Sequence, residues 1–376
     1  MVEKHRPEAA LSLLSHFPVG LPSSAAGEWW DLVGRCHQES GRFREARQAY
    51  RKAERSFVRA TDRGAIGEVR LRLGDVSRQL ELFHDATRWY RFAETGVDSK
   101  LHHQIVSDAR LGRAMALRGL GRYPAALTLF RALLRSYQRR GDLSGRAYAL
   151  WAMGTTQRFA GDLRGASKNL AAAISVYTRL KDDRSLAYAR CGLGGTLRML
   201  GRPAQSRSLY ALGNRFFVKT GDSFGVSYAS CGQGNALRLE GQLSAALPFM
   251  NRAIRGYRRL RLHGPLGFVL WSRAQVRIIS GKWSAAARDL SASERVFRRA
   301  NDPRGLAYVE LGRGELLRAQ GKDAGRAYRA ARRMASRLGL KLEVLHARFR
   351  LGEVSSQAYA RSGVRIPAYL QFTTLP

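Results

Sequence analysis

The chain has 376 residues, 45% of them hydrophobic, and carries 65 Lys and Arg against 29 Asp and Glu, a formal charge of +36. It contains no run of eighteen apolar residues, so no membrane-spanning helix is expected, and its three cysteines (Cys36, Cys191, Cys231) offer neither a CxxC metal motif nor a disulfide framework. Such a charge favours phosphate, carboxylate or polyanionic partners. Only nine of the basic residues are lysine, so the charge is nearly all guanidinium. A GC-rich genome explains the Arg:Lys ratio, but not the shortage of acids.

Residues 1–21 read as an N-terminal capping helix, helical over Glu8 to Leu14 and closed by Phe17-Pro18. The start of the chain lacks the long apolar segment of a secretory signal, so a cytoplasmic location is expected. From residue 22 a pattern recurs every forty residues. One glycine series is Gly41, Gly121, Gly161, Gly201, Gly241, Gly281 and Gly321, broken only by Glu81. Seven residues earlier stands a second series, Gly34, Gly74, Gly154, Gly194, Gly234 and Gly314, with Ala114 and Ala274 filling the gaps. A fixed period in this range predicts stacked helix pairs rather than two or three globular domains. Eight pairs are expected over 22–339, with units opening near Thr61, Leu101, Gly141, Lys181, Gly221, Arg261 and Asn301. A C-terminal capping helix follows over 340–361, reading as helix from Lys341 to Ala360. Residues 362–376, whose prolines oppose helix, form an extended or disordered tail.

Within the units, Asp62, Asp142, Asp182, Asp222 and Asp302 are placed to cap helix starts. A small residue follows five positions after the first-series glycine (Ala46, Ala86, Ala126, Ala166, Ser206, Ala246, Ala286). Four residues later comes a large one (Tyr50, Tyr90, Phe130, Leu170, Tyr210, Met250, Leu290). A further aromatic column is Phe57, Tyr137, Tyr177, Phe217, Tyr257 and Phe297. These spacings put one apolar stripe on a helical period, small beside large, as close helix packing needs.

The glycine and alanine spacing, with aromatics behind it, resembles the tetratricopeptide repeat (TPR). The forty-residue step resembles the variant in Pins-type polarity adaptors, kinesin light chain and bacterial regulator sensor domains. The resemblance covers residues 22–355. It implies an all-α fold, a right-handed α-solenoid of about eight stacked helix pairs with capping helices, whose first helices line a groove for extended peptides. One column departs from the family. Where a large apolar residue usually precedes the glycine, this chain has Val33, Leu73, Arg113, Met153, Leu193, Gln233, Arg273 and Arg313.

The groove-facing offsets that the resemblance implies share one helical face. Three residues before the first-series glycine stand Arg78, Arg118, Arg158, Arg198, Arg238 and Arg318, an arginine ladder interrupted by Gln38 and Ile278. Thirteen before it the column changes from Glu28, Glu68 and Asp108 to Tyr148, Tyr188, Tyr228, Phe268 and Tyr308. Trp151 and Trp271 stand ten before it, and Asn235 six before it. Guanidinium forks suit carboxylates and phosphates, and aromatic faces stack on bases or side chains. The same residues have a structural reading. Arginine near a helix end complements the dipole, and aligned tyrosines pack between successive first helices.

Catalytic and metal motifs are missing. No HExxH, Walker or serine-elbow pattern occurs, and the string Gly192, Gly194 and Gly195 lies inside a predicted helix rather than after a strand. A non-enzymatic adaptor without cofactor is expected, binding an extended acidic segment of a partner protein in the Arg/Tyr groove. The alternatives are a basic solenoid binding RNA or DNA, and a regulatory or assembly subunit docked through its tail from Arg365 to Pro376.

Overall fold

The computed structural model describes residues 7–14 and 20–361; the tail 362–376 lies outside them. Among the described residues there are helices and turns and no strands. The chain divides into two compact units, Met1–Leu133 and Leu134–Pro376.

The first unit holds α1 (Pro7–Leu13), the pairs α2 (Ser23–Glu39) with α3 (Phe43–Arg59) and α4 (Arg63–Gln79) with α5 (Phe83–Thr95), then α6 (His103–Gly119) and the start of α7 (Tyr123–Arg139). Ala46, Tyr50, Ala53 and Phe57 of α3 pack on Val69, Leu73 and Val76 of α4. Between repeats, Glu54 meets Arg70 at 2.9 Å and Glu94 meets Arg110 at 2.8 Å. Arg113, in the column where the family is apolar, reaches Glu94 at 2.7 Å. In the second unit Arg273 instead reaches forward to Asp289 of the next helix, within its own repeat, at 2.6 Å. The arginines of that column, Arg113, Arg273 and Arg313, thus hold the helix-to-helix face by ion pairs.

The second unit continues with α8 (Leu143–Ala160) and α9 (Leu163–Leu180), α10 (Asp183–Met199) and α11 (Pro203–Thr220), α12 (Ser223–Leu239) and α13 (Leu243–Arg259). Then come α14 (His263–Ile279) and α15 (Trp283–Arg299), α16 (Pro303–Ala319) and α17 (Gly325–Arg337), and finally α18 (Lys341–Arg350) and α19 (Ser356–Ala360). The single helix expected from Lys341 to Ala360 is therefore two. Gly352, at φ 77°, takes the left-handed conformation that ends α18.

Both glycine series have physical causes. The first is conformational: Gly41, Gly121, Gly161, Gly201, Gly241, Gly281 and Gly321 all have positive φ. Glu81 adopts the same left-handed turn at φ 61°. A second left-handed position falls halfway along six of the periods, at Thr61, Gly141, Lys181, Gly221, Arg261 and Asn301; at Leu101 the loop takes another form. Only two of these are glycine, so sequence inspection shows no glycine series there. The other series is steric. A Cβ on Gly154 would come within 2.7 Å of Leu170 and 3.0 Å of the Ala166 carbonyl, and one on Gly34 within 2.4 Å of Tyr50. The small column and the second aromatic column are buried at every position from Ala46 to Phe297. All five aspartates cap as expected, each accepting from the backbone N–H three residues on, at Ala65, Gly145, Ser185, Gly225 and Gly305. Asp162 does the same for α9.

Candidate functional site

The first helices of the second unit surround one cavity of about 350 Å³. A core of Met199, Leu239, Trp271, Tyr308 and Leu342 gathers α10, α12, α14, α16 and α18 there. The wall includes Arg158 and Phe159 of α8, Arg198 of α10, Tyr210 of α11, Tyr228 and Asn235 of α12 and Tyr257 of α13. Phe268 and Ser272 of α14, Arg304 and Tyr308 of α16, and Leu342 and Glu343 of α18 also line it. The volume lies in the range of small-ligand sites, ~300–1,000 Å³, and the mixture of rings with a few convergent polar groups is typical of them.

Glycines make room for the polar groups. A Cβ on Gly195 would come within 2.3 Å of the Arg158 guanidinium. Without one, Arg158 lies over α10 with Nη1 3.4 Å from the Gly192 carbonyl. The glycine string that matched no phosphate motif is thus a bed for an arginine and for the Tyr210 ring, whose hydroxyl would stand 3.0 Å from the same Cβ.

Arg198 is 5% exposed and Arg238 is fully buried. Arg238 Nη2 stands 3.4 Å from Asn235 Oδ1 and its Nε has no hydrogen-bond partner. The described residues place no carboxylate within ion-pair reach of Arg238 or Arg158. Burial, reinforced by the neighbouring Arg198 charge, draws the Arg238 pKa down to about 9. Burial likewise lowers that of Arg198. A fully buried guanidinium with only an amide oxygen beside it, as Arg238 is, carries a desolvation cost, and an anion brought close to it would offset that cost. Asn235 is held in place by donating from Nδ2 to Ser272 Oγ and to the Cys231 carbonyl, both at 3.2 Å.

The rest of the wall is aromatic. The Arg304 guanidinium carbon lies 4.5 Å from the Phe159 ring centre, 5.1 Å from that of Phe268 and 5.4 Å from that of Tyr308. The Tyr308 hydroxyl donates to Glu343 Oε1 at 2.5 Å. Burial pushes the phenols of Tyr210, Tyr257 and Tyr308 well above their ordinary range. They remain protonated hydrogen-bond donors. Burial also pushes the Cys231 thiol up to about 11 and that of Cys191 higher. Neither thiol is an activated nucleophile.

The structure brings together Arg158, Arg198, Tyr228, Asn235, Phe268 and Tyr308 of the residues singled out in the sequence. Arg238 and Trp271 stand directly behind the wall; the Trp271 indole N–H donates to the Tyr308 carbonyl at 2.6 Å. The others lie elsewhere. Tyr148 packs on Trp151 at 5.4 Å. Tyr188 donates to Asp222, the aspartate that caps α12. Arg318 faces Glu315 at 3.7 Å. Arg78 sits in the first unit beside Asp75 and Tyr90, and Arg118 is half-buried there. The arginine column is therefore not one uniform ladder. Sequence reasoning missed Phe159, Arg304 and Glu343, which sit at helix ends or on α18, outside the repeat columns. Tyr210 and Tyr257 carried a signal, since both stand in the large and aromatic columns of the second helices.

No family model matches the sequence, and no curated protein matches it either. The fold, however, is similar to solved structures. A Rap protein complexed with Competence and Sporulation Factor is 13% identical with a TM-score of 0.65, over 78% of this chain and 80% of that one. The Rap conjugation gene regulator of plasmid pLS20, in complex with the Phr* peptide, is 14% identical with a TM-score of 0.61, over 80% and 87%. A signal transduction ATPase with numerous domains and a tetratricopeptide repeat sensor, from Pyrococcus horikoshii, is 13% identical with a TM-score of 0.54. That match spans 96% of this chain and 55% of that one. The fold is a TPR-like helical repeat. Among the described residues no helix is long and apolar enough to cross a membrane.

Proposed function

We propose that this protein is a non-catalytic TPR-like binding protein that captures an acidic segment of a partner polypeptide in the cavity of its second unit. The observation that carries the reading is Arg238, fully buried with only an amide oxygen beside it, behind a wall that presents Arg158 and Arg198 among aromatic rings. A carboxylate entering there meets preplaced guanidinium donors, a bond that gains from exclusion of water. The enclosed volume takes a few residues of an extended segment, with the remainder leaving along the first helices. Two fold neighbours were solved as complexes, one with Competence and Sporulation Factor and one with the Phr* peptide, which supports a peptide ligand. The protonated thiols and the absence of catalytic motifs support a binding role.

The test is affinity selection from a random synthetic octapeptide library, with the wild type and with Arg158→Glu. Enrichment of Asp and Glu by the wild type, lost in the variant with helicity unchanged, is the expected result. Enrichment without acidic preference would overturn the reading.

A second reading, nucleic-acid binding, has its own observation. The second helices α9, α11 and α13 contain no acidic residue. They expose Arg164, Lys168, Arg215, Lys219, Arg252, Arg255 and Arg259. Binding of this kind would weaken with salt by about 0.9 log units per duplex phosphate contacted for each log unit of salt. It would survive Arg158→Glu.

A further inference from the structure

Glu343 is the acidic residue in the wall of the arginine cavity. It is 4% exposed. Oε1 accepts from the Tyr308 hydroxyl, while Oε2 has no hydrogen-bond partner. A carboxylate oxygen left bare in a buried wall carries a desolvation cost unless something donates to it. Its position is firmly set. Glu343 lies in the first turn of α18, where the helix dipole favours an anion. Leu342 next to it packs at the end of α8, 3.2 Å from where a Cβ on Gly161 would stand. Tyr308 is itself fixed by the bond from Trp271 to its carbonyl. The cavity thus presents guanidinium donors on α8 and α10 and a bare acceptor on α18.

We propose that the bound segment enters amino-terminus first, with its free α-ammonium donating to Glu343 Oε2 while an acidic residue behind it meets Arg158 and Arg198. This rests on the reading of the site as an acidic-peptide receptor and adds a polarity to it. A purely anionic ligand would leave Oε2 bare and place its charge toward a fixed carboxylate. A ligand carrying an ammonium group and a carboxylate close together satisfies both sides. The same chemistry could come from a lysine side chain, and the experiment separates the two.

Two octapeptide libraries of random sequence, one with free and one with acetylated amino termini, are passed over the wild type and over Glu343→Gln. The glutamine keeps the acceptor for Tyr308 and removes the charge. The expected result is selection of acidic peptides from the free library, with recovery from the acetylated library lower by at least about tenfold, or ~1.4 kcal/mol. In Glu343→Gln the two libraries should be recovered alike. Equal acidic selection from both libraries by the wild type would overturn the amino-terminal assignment and leave the acidic-peptide reading standing. Enrichment of lysine from the acetylated library would overturn it by moving the ammonium to a side chain. No acidic enrichment from either library would overturn both readings. The wild-type comparison decides the matter even if the variant folds poorly, which circular dichroism would reveal.

Discussion

Arg238 Nη2 stands 3.4 Å from Asn235 Oδ1 within α12, and both side chains are buried. An amide oxygen is a weak partner for a fully desolvated guanidinium, and Arg198 nearby adds like charge. Replacing even a buried ion pair with apolar side chains of similar size is often neutral or stabilising by ~1–4 kcal/mol, and Arg238 has no carboxylate to lose. Arg238→Met should therefore unfold at equal or higher urea concentration than the wild type when no ligand is present. It should bind acidic peptides less well. Destabilisation by several kcal/mol would show that Arg238 is held by a structural pair.

The buried cluster on α16 and α18 makes stability pH-dependent. His346 Nε2 lies 3.1 Å from Glu315, which also accepts from Arg350 Nε at 2.7 Å, with Arg318 at 3.7 Å. Burial holds the His346 pKa below its ordinary 6.5, outweighing the pull of Glu315, while Arg350 and Arg318 push the same way. His346 and its neighbouring cations, against burial, hold Glu315 below its ordinary 4.5. A histidine depressed in the folded state contributes stability above 6.5 that is lost as pH falls through its folded value. The glutamate adds a second loss below 4.5. Thermal midpoints should fall on acidification from pH 7 to 5, and His346→Gln should flatten that slope. A flat wild-type profile would contradict this arrangement.

Close packing at the steric glycines should be unforgiving. A Cβ on Gly154 meets Leu170 at 2.7 Å and backbone at 3.0 Å, and neither can withdraw without shifting α9 against α8. Gly154→Val should cost ~1–3 kcal/mol by overpacking. Chemical denaturation measures it, and a neutral outcome would show that the helix pair is looser than described.

The left-handed turns offer the opposite change. Lys181 and Arg261 hold φ 54° at exposed positions where other repeats use Gly141 and Gly221. A non-glycine residue in this region is strained by ~1–2 kcal/mol. Lys181→Gly and Arg261→Gly should each stabilise by roughly 0.5–1 kcal/mol, after the entropy cost of glycine. Loss of stability in both would mean that the side chains make compensating contacts.

Much of the fold was legible because each repeat solves the same local problem with the same residue. Gly241 and its equivalents mark a turn that needs positive φ, Gly34 and Gly314 mark close approach of a tyrosine, and Asp142 and Asp222 mark helix starts. The halfway turns were less legible, since Lys181 and Arg261 reach the same conformation without glycine. The cavity was half legible. Arg158, Arg198 and Tyr308 stood in columns, but identical columns did not give identical surroundings. Arg238 is buried, Arg318 is exposed beside Glu315, and Tyr188 is drawn to the cap of α12. Phe159, Arg304 and Glu343 come together only through tertiary packing onto α18, which no repeat period encodes.

The most direct test of the central claim is calorimetric titration of one selected acidic peptide into three proteins: the wild type, Arg158→Glu and Arg78→Glu. Arg158 lines the cavity of the second unit, whereas Arg78 occupies the same column in the first unit beside Asp75. Arg158→Glu should weaken binding at least about thirtyfold, as loss of a buried charge contact of ~2–5 kcal/mol requires, and Arg78→Glu should leave it unchanged. Equal loss in both variants would point to a ligand spread along the whole arginine column. Unchanged binding in Arg158→Glu would place the site outside the cavity and contradict the account.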